Sequence, residues 1–160
     1  MKAKKNERKY MLAAIDAAYS GIARNEGGPF GAAVVKNGII IAVAHNTVLK
    51  SNDATCHAEV NAIHAASKKL KRWNLKGCTI YSTTEPCPMC FSAIHWAQAD
   101  AVVWGTEIPD VQRLGFNELT IPAPRMKKIG KSRVRLKRLF MRRECLELLE
   151  DWRILNAQTY

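Results

Sequence analysis

The sequence predicts an α/β fold in three layers, with a mixed five-stranded sheet between layers of helix. Two observations carry that reading. Helical and extended patterns run helix, strand, strand, helix, strand, helix, strand, connection, strand, helix, an order that covers a sheet on both faces. The first two strands meet at Asn37-Gly38, the strongest short signal for an antiparallel hairpin. At 160 residues the chain reads as one domain of ordinary size, without repeats or low-complexity tracts.

Each element has its own signal. Met11, Ile15, Ala18 and Ile22 recur every three or four residues, on one face of a helix over 7–24 that Gly27-Gly28-Pro29 stops. Residues 31–36 and 39–44 are the β-branched runs of the hairpin. Residues 45–55 are polar and read as loop. A helix over 56–70 buries Val60, Ile63 and Ala66, and a strand over 77–82 follows. Pro88 suits the first turn of a helix reaching residue 97, and 101–105 is a wholly apolar strand. Residues 108–125 read mostly as connection, with Gly115, Pro122 and Pro124. Residues 132–137 alternate basic and apolar, a strand with one wet face. From residue 143, Cys145, Leu148, Leu149 and Trp152 form the apolar stripe of a closing helix.

Two short runs about thirty residues apart carry the chemistry: Cys56-His57-Ala58-Glu59 and Glu85-Pro86-Cys87-Pro88-Met89-Cys90. Imidazole and thiolate are favoured zinc ligands, and C-x-x-C offers both sulfurs from one turn. His57, Cys87 and Cys90 make three ligands, one short of a tetrahedron. A structural zinc has its fourth corner filled by protein, whereas a catalytic zinc leaves that corner to water, which then ionises near neutral pH. Glu59 stands two residues from His57, able to exchange protons with that water without being a ligand. H-x-E followed by P-C-x-x-C is the signature of zinc deaminases, in which attack on an amidine-like carbon expels ammonia. Cys56, on the same helix, would point about 100° away from His57 and so does not close the site. His45, His64, His95 and Met89 read as packing or surface residues.

The net charge is +11, with basic residues crowding 125–143 without an acid between them, and further clusters at 68–72 and 2–9. A nucleic-acid surface is one reading and a solvated basic face the other. No apolar run approaches a membrane span, and the N-terminus lacks the apolar core of a signal peptide. Five cysteines, an odd set, fit a reducing cytoplasm.

These motifs resemble the cytidine deaminase superfamily of zinc-dependent nucleobase and nucleoside deaminases, over nearly the whole chain. The resemblance implies a five-stranded cytidine deaminase-like fold, one zinc per subunit and an oligomer, often a homodimer. Gly28-Pro29-Phe30-Gly31-Ala32, Ser51-Asn52-Asp53, Ile94-His95-Trp96-Ala97 and Gly115-Phe116 are similar to the guanine deaminase branch, as is a chain ending on Tyr160. That branch implies that Asn46 hydrogen-bonds the purine and that Phe30 and Trp96 line its pocket. It also implies that Glu118 assists proton transfer or reads the ring edge. Tyr160 then closes the site, from its own chain or from a 126–160 segment swapped between subunits. Asn117-Glu118 departs from that branch, which carries two aspartates there. Arg133-Val134, Glu144-Cys145 and Leu148-Leu149 are instead similar to tRNA adenosine deaminases, for which the basic charge suits RNA. The leading expectation is deamination of guanine, a small-molecule purine. The alternatives are a tRNA adenosine deaminase, another nucleoside or cytosine-type deaminase, and a non-catalytic RNA-binding protein with structural zinc. Glu59, the shuttle carboxylate, argues against the last.

Overall fold

A computed structural model describes the backbone of residues 2–155 and 159, and the side chains of 7–155 and 159. Five strands form one sheet in the order β2-β1-β3-β4-β5. Strands β1 (Gly31–Lys36) and β2 (Ile39–His45) are the expected hairpin, with Asn37 and Gly38 at φ 50° and 78°, the left-handed pair a tight hairpin turn demands. β1 also pairs antiparallel with β3 (Cys78–Thr84), and β3, β4 (Ala101–Thr106) and β5 (Arg135–Lys137) run parallel. The mixed sheet is as expected.

Alternation along the strands sorts side chains between two helix layers. Ala32 and Val34 of β1, Ile80 of β3, and Val102 and Trp104 of β4 face α3 (Ala58–Leu70) and α4 (Pro88–Trp96), with Ala62, Ile63, Phe91 and Ile94. Ala33, Val35, Tyr81 and Val103 face the other way, onto Met11 and Ala14 of α1 (Lys2–Ala23) and Cys145 of α7 (Arg142–Ile154). Ala18 and Ile22 of α1 meet Leu148, Leu149 and Trp152 of α7. Within the single chain, therefore, β5 pairs with its own β4 and α7 packs on its own α1.

Four details differ from the sequence reading. Residues 45–55 contain a short helix, α2 (Val48–Ser51), and the supposed connection after residue 108 contains α5 (Ile108–Gln112) and α6 (Ala123–Ile129). Prolines sit in the first turns of both α5 and α6, where proline suits a helix, so residues that read as breakers mark beginnings. Helix α3 starts at Ala58, which leaves Cys56 before the helix and His57 at its N-cap. β5 spans three residues, because only Ala101–Val103 of β4 lie opposite it. Among the described residues no helix is long and apolar enough to cross a membrane.

Candidate active site

The hydrogen-bond register places the end of β2, the start of β1 and the ends of β3 and β4 at one edge of the sheet: Gly31 pairs with His45, Ala32 with Ser82, and Thr84 with Thr106. Both motifs sit there. His57 caps α3 and Cys87 caps α4, each in extended conformation, so the positive ends of two helices point at the same spot. Cys90 follows one turn into α4 and is fully buried.

His57 Nδ1 lies 3.7 Å from Cys87 Sγ and 3.5 Å from Cys90 Sγ, and the three donor atoms all fall within 4.8 Å of one another. A tetrahedral zinc with ordinary Zn–S and Zn–N bonds separates such a nitrogen and sulfur by about 3.6 Å. The donor set and its spacing fit zinc, with one vertex not supplied by protein among the described residues. Cys56 stays outside the cluster, not by rotation on a helix but because it precedes α3, its carbonyl held by Thr47 N–H at 3.0 Å.

The electrostatics of the metal-free cluster suit a cation. A hydrogen bond from Cys90 holds the Cys87 thiol down to about 4, with burial opposing and His57 assisting. The same bond, together with burial, raises Cys90, so the pair carries its charge on Cys87. Burial works to lower His57, but its hydrogen bond to Cys87 and the charge of Glu59 raise it. Glu59 is buried behind the cluster, its Oε1 accepting a 3.0 Å hydrogen bond from Ser82 Oγ. Burial raises its carboxyl, and the negative charge on Cys87 adds to this. Glu118 joins from the loop after α5, pushed up to about 7 by burial, with the charge on Cys87 next.

A cavity of about 20 Å³ is bordered by Phe30, His57, Glu59, Ser82, Cys87 and Glu118. Glu118 and His57 also border a neighbouring cavity of about 160 Å³, with Pro88, Met89 and Phe116. Phe30 is fixed by an edge contact with Phe116, which in turn lies 5.0 Å from Trp152 of α7. The structure thus brings together His57, Cys87, Cys90, Glu59, Glu118 and Phe30. Asn46 stands one layer back: its N–H donates to the Phe30 carbonyl and its Oδ1 accepts from Val48 N–H, while the buried Nδ2 has no partner among the described residues. Gly27 lies against it so closely that a Cβ would collide with the Asn46 carboxamide and carbonyl. Trp96 is not brought to this cluster. It ends α4, about 13 Å along the helix from Cys87, and is 78% exposed. Tyr160 lies outside the described residues; Thr159 lies beside Gly115, at the start of the Glu118 loop.

Sequence reasoning missed Ser82, Glu85 and Asn61. Ser82 gives a weak signal, the first of three hydroxyl residues that end β3. Glu85 accepts hydrogen bonds from Ile108 N–H (3.3 Å) and Ala123 N–H (2.8 Å), anchoring the first residues of α5 and α6 to the second motif. No local pattern announces that role.

Residues 4–106 match the zinc-binding region of cytidine and deoxycytidylate deaminases. The chain belongs to this deaminase family. It is 44% identical over 113 residues to the guanine deaminase of Bacillus subtilis, covering 71% of this chain and 72% of that one. It is 32% identical over 128 residues to the tRNA-specific adenosine deaminase of Buchnera aphidicola, covering 78% and 79%. Among solved structures, NE0047 in complex with 2,6-diaminopurine superposes with a TM-score of 0.85 at 28% identity, over 94% of this chain and 83% of that one. This deaminase is a zinc-dependent aminohydrolase of the cytidine deaminase-like fold.

Proposed function

We propose that this deaminase hydrolyses the amino group of a free purine base, guanine first, giving xanthine and ammonia. The observation that carries the reading is that two carboxylates, Glu59 and Glu118, border one small cavity with His57 and Cys87, two of the three clustered metal donors. The likeness to a guanine deaminase over most of both chains supports it. His57, Cys87 and Cys90 are the zinc ligands. Zinc held by them supplies Lewis acidity, which makes a proton of water easier to remove near neutral pH.

The chain's own residues do the rest. Glu59 carries one proton of the attacking water to a ring nitrogen and then the remaining hydroxyl proton to the departing amine, which leaves as ammonia as the carbonyl forms. Ser82 Oγ fixes the carboxylate through Oε1. Glu118, with an affinity for protons near neutrality, is suited to accept or return one at the ring edge. Phe30 packs against the ring, and the Asn46 carboxamide, whose Nδ2 has no partner among the described residues, is the donor for a purine acceptor. About 20 Å³ holds a water, not a purine, so the base enters as the 116–119 segment withdraws and its return excludes solvent. Tyr160 completes that closure; Trp96, carried to the far end of α4, takes no part in it. The enzyme works in the cytoplasm.

A tRNA adenosine deaminase is the second reading, favoured by the Buchnera relative and the basic charge. Ammonia release from guanine, guanosine, adenine, cytosine, cytidine and tRNA at two salt concentrations separates the two. Guanine turnover insensitive to salt supports the proposal. Salt-sensitive inosine formation in tRNA, without activity on guanine, replaces it by the second reading.

A further inference from the structure

We infer that the chain carries a second binding site, for single-stranded nucleic acid, at the end of the sheet away from the zinc ligands. The placement follows from the topology. The metal ligands follow the C-terminal ends of the strands, whereas Gly77, Asp100 and Arg133 precede or begin β3, β4 and β5 at the opposite ends. β3 alone separates the two ends by about 20 Å. Helix α4 links them, opening on Cys87 and ending on Trp96.

A groove of about 890 Å³ lies at that far end, much larger than either cavity near the metal donors. Lys76, Lys131, Arg133 and Arg135 border it together with Trp96. None of these four cations forms an ion pair with an acid among the described residues. The acid in the groove wall, Asp100, accepts a 2.9 Å hydrogen bond from Gly77 N–H.

The cations stand on a fixed base. Lys127 Nζ donates to the carbonyls of Ser132 (2.9 Å) and Val134 (2.7 Å), and His95 Nδ1 bonds Ser132 Oγ at 3.0 Å. That ties the segment bearing Lys131 and Arg133 to the end of α4. Arg133 and Arg135 are exposed on either side of buried Val134.

Basic residues on an edge strand discourage strand pairing between molecules, which accounts for the arginines alone. It does not account for an indole 78% exposed in the same groove. A positive groove with an aromatic platform is the arrangement that binds an unpaired polynucleotide strand, phosphates on the cations and a base on the ring. The inference does not rest on the choice of deamination substrate.

Oligouridylate tests it, because uracil has no amino group and binding is read apart from turnover. The zinc-loaded chain is titrated against fluorescently labelled oligouridylate, and anisotropy is followed at about 50 and 200 mM salt. Three or four phosphate contacts predict binding about 20- to 50-fold weaker at the higher salt. Trp96→Ala weakens binding roughly tenfold and Trp96→Phe recovers most of it, since phenylalanine still stacks. Arg133→Glu with Arg135→Glu abolishes binding while ammonia release and thermal unfolding stay unchanged. Absence of binding at the lower salt overturns the inference, including the case where a second copy of the chain covers Trp96. So does binding indifferent to these substitutions, or equal affinity for duplex RNA.

Discussion

Asn61 offers the sharpest test of how the site is held. One turn into α3, its carboxamide Nδ2 donates to the His45 carbonyl (2.9 Å), Thr47 Oγ1 (2.9 Å) and the Cys56 carbonyl (3.2 Å). One side chain therefore clamps the end of β2, just before Asn46, to the residue before His57. Two N–H protons serve three acceptors, so at most two full bonds are lost in Asn61→Ala. At about 1 kcal/mol per neutral hydrogen bond, the expected loss is about 2 kcal/mol. For a domain of this size each kcal/mol lowers Tm by about 2–4 °C, giving a fall of about 4–8 °C. Asn61→Asp should be worse near neutral pH, because it sets a carboxylate against the His45 and Cys56 carbonyl oxygens, which cannot donate. Calorimetry on the zinc-loaded protein reads the stability, and ammonia release reads the slackened site as a lower kcat. A Tm for Asn61→Ala within about 1 °C of the parent, or an Asp variant as stable as the Ala variant, would refute the clamp.

Three further outcomes follow from the geometry. Glu59→Ala should bind zinc normally yet lose turnover by about a hundredfold or more, as metal analysis beside an activity assay would show; activity near the parent level contradicts its role. Removing zinc with a chelator should abolish turnover and lower Tm, with both restored by added zinc; full activity in metal-depleted protein rules out the assigned chemistry. In metal-free protein, Glu118 titrates at about 7 instead of its ordinary 4.5, so the folded state binds a proton that the unfolded chain releases. Its contribution to stability is therefore lost as pH rises from about 4.5 to 7, and Glu118→Gln should flatten that part of the stability–pH curve. An unchanged curve shows that Glu118 is not buried. The same variant should slow guanine turnover while sparing zinc.

How much of this was legible beforehand depends on the range of the signal. The hairpin at Asn37-Gly38 and the helices opened by the two motifs are local, and the structure has them. α5 and α6 were unreadable for a physical reason: each is short, and the N–H groups at their starts are satisfied by Glu85, residues away in sequence. Glu118 reaches the site because Phe116 packs between Phe30 and Trp152, a contact spanning three distant segments.

The sequence by itself determined the chemistry. Imidazole, two thiolates and an unligated carboxylate at fixed short spacings admit few other uses, because ligand softness and helical geometry act within a turn or two. Where those groups converge, which carboxylate joins them and where each aromatic points were decided by tertiary structure alone. Trp96 shows the difference: six residues from Cys90 in the chain, it is carried by a rigid helix to the other end of the sheet, beside cations that only the fold brings together.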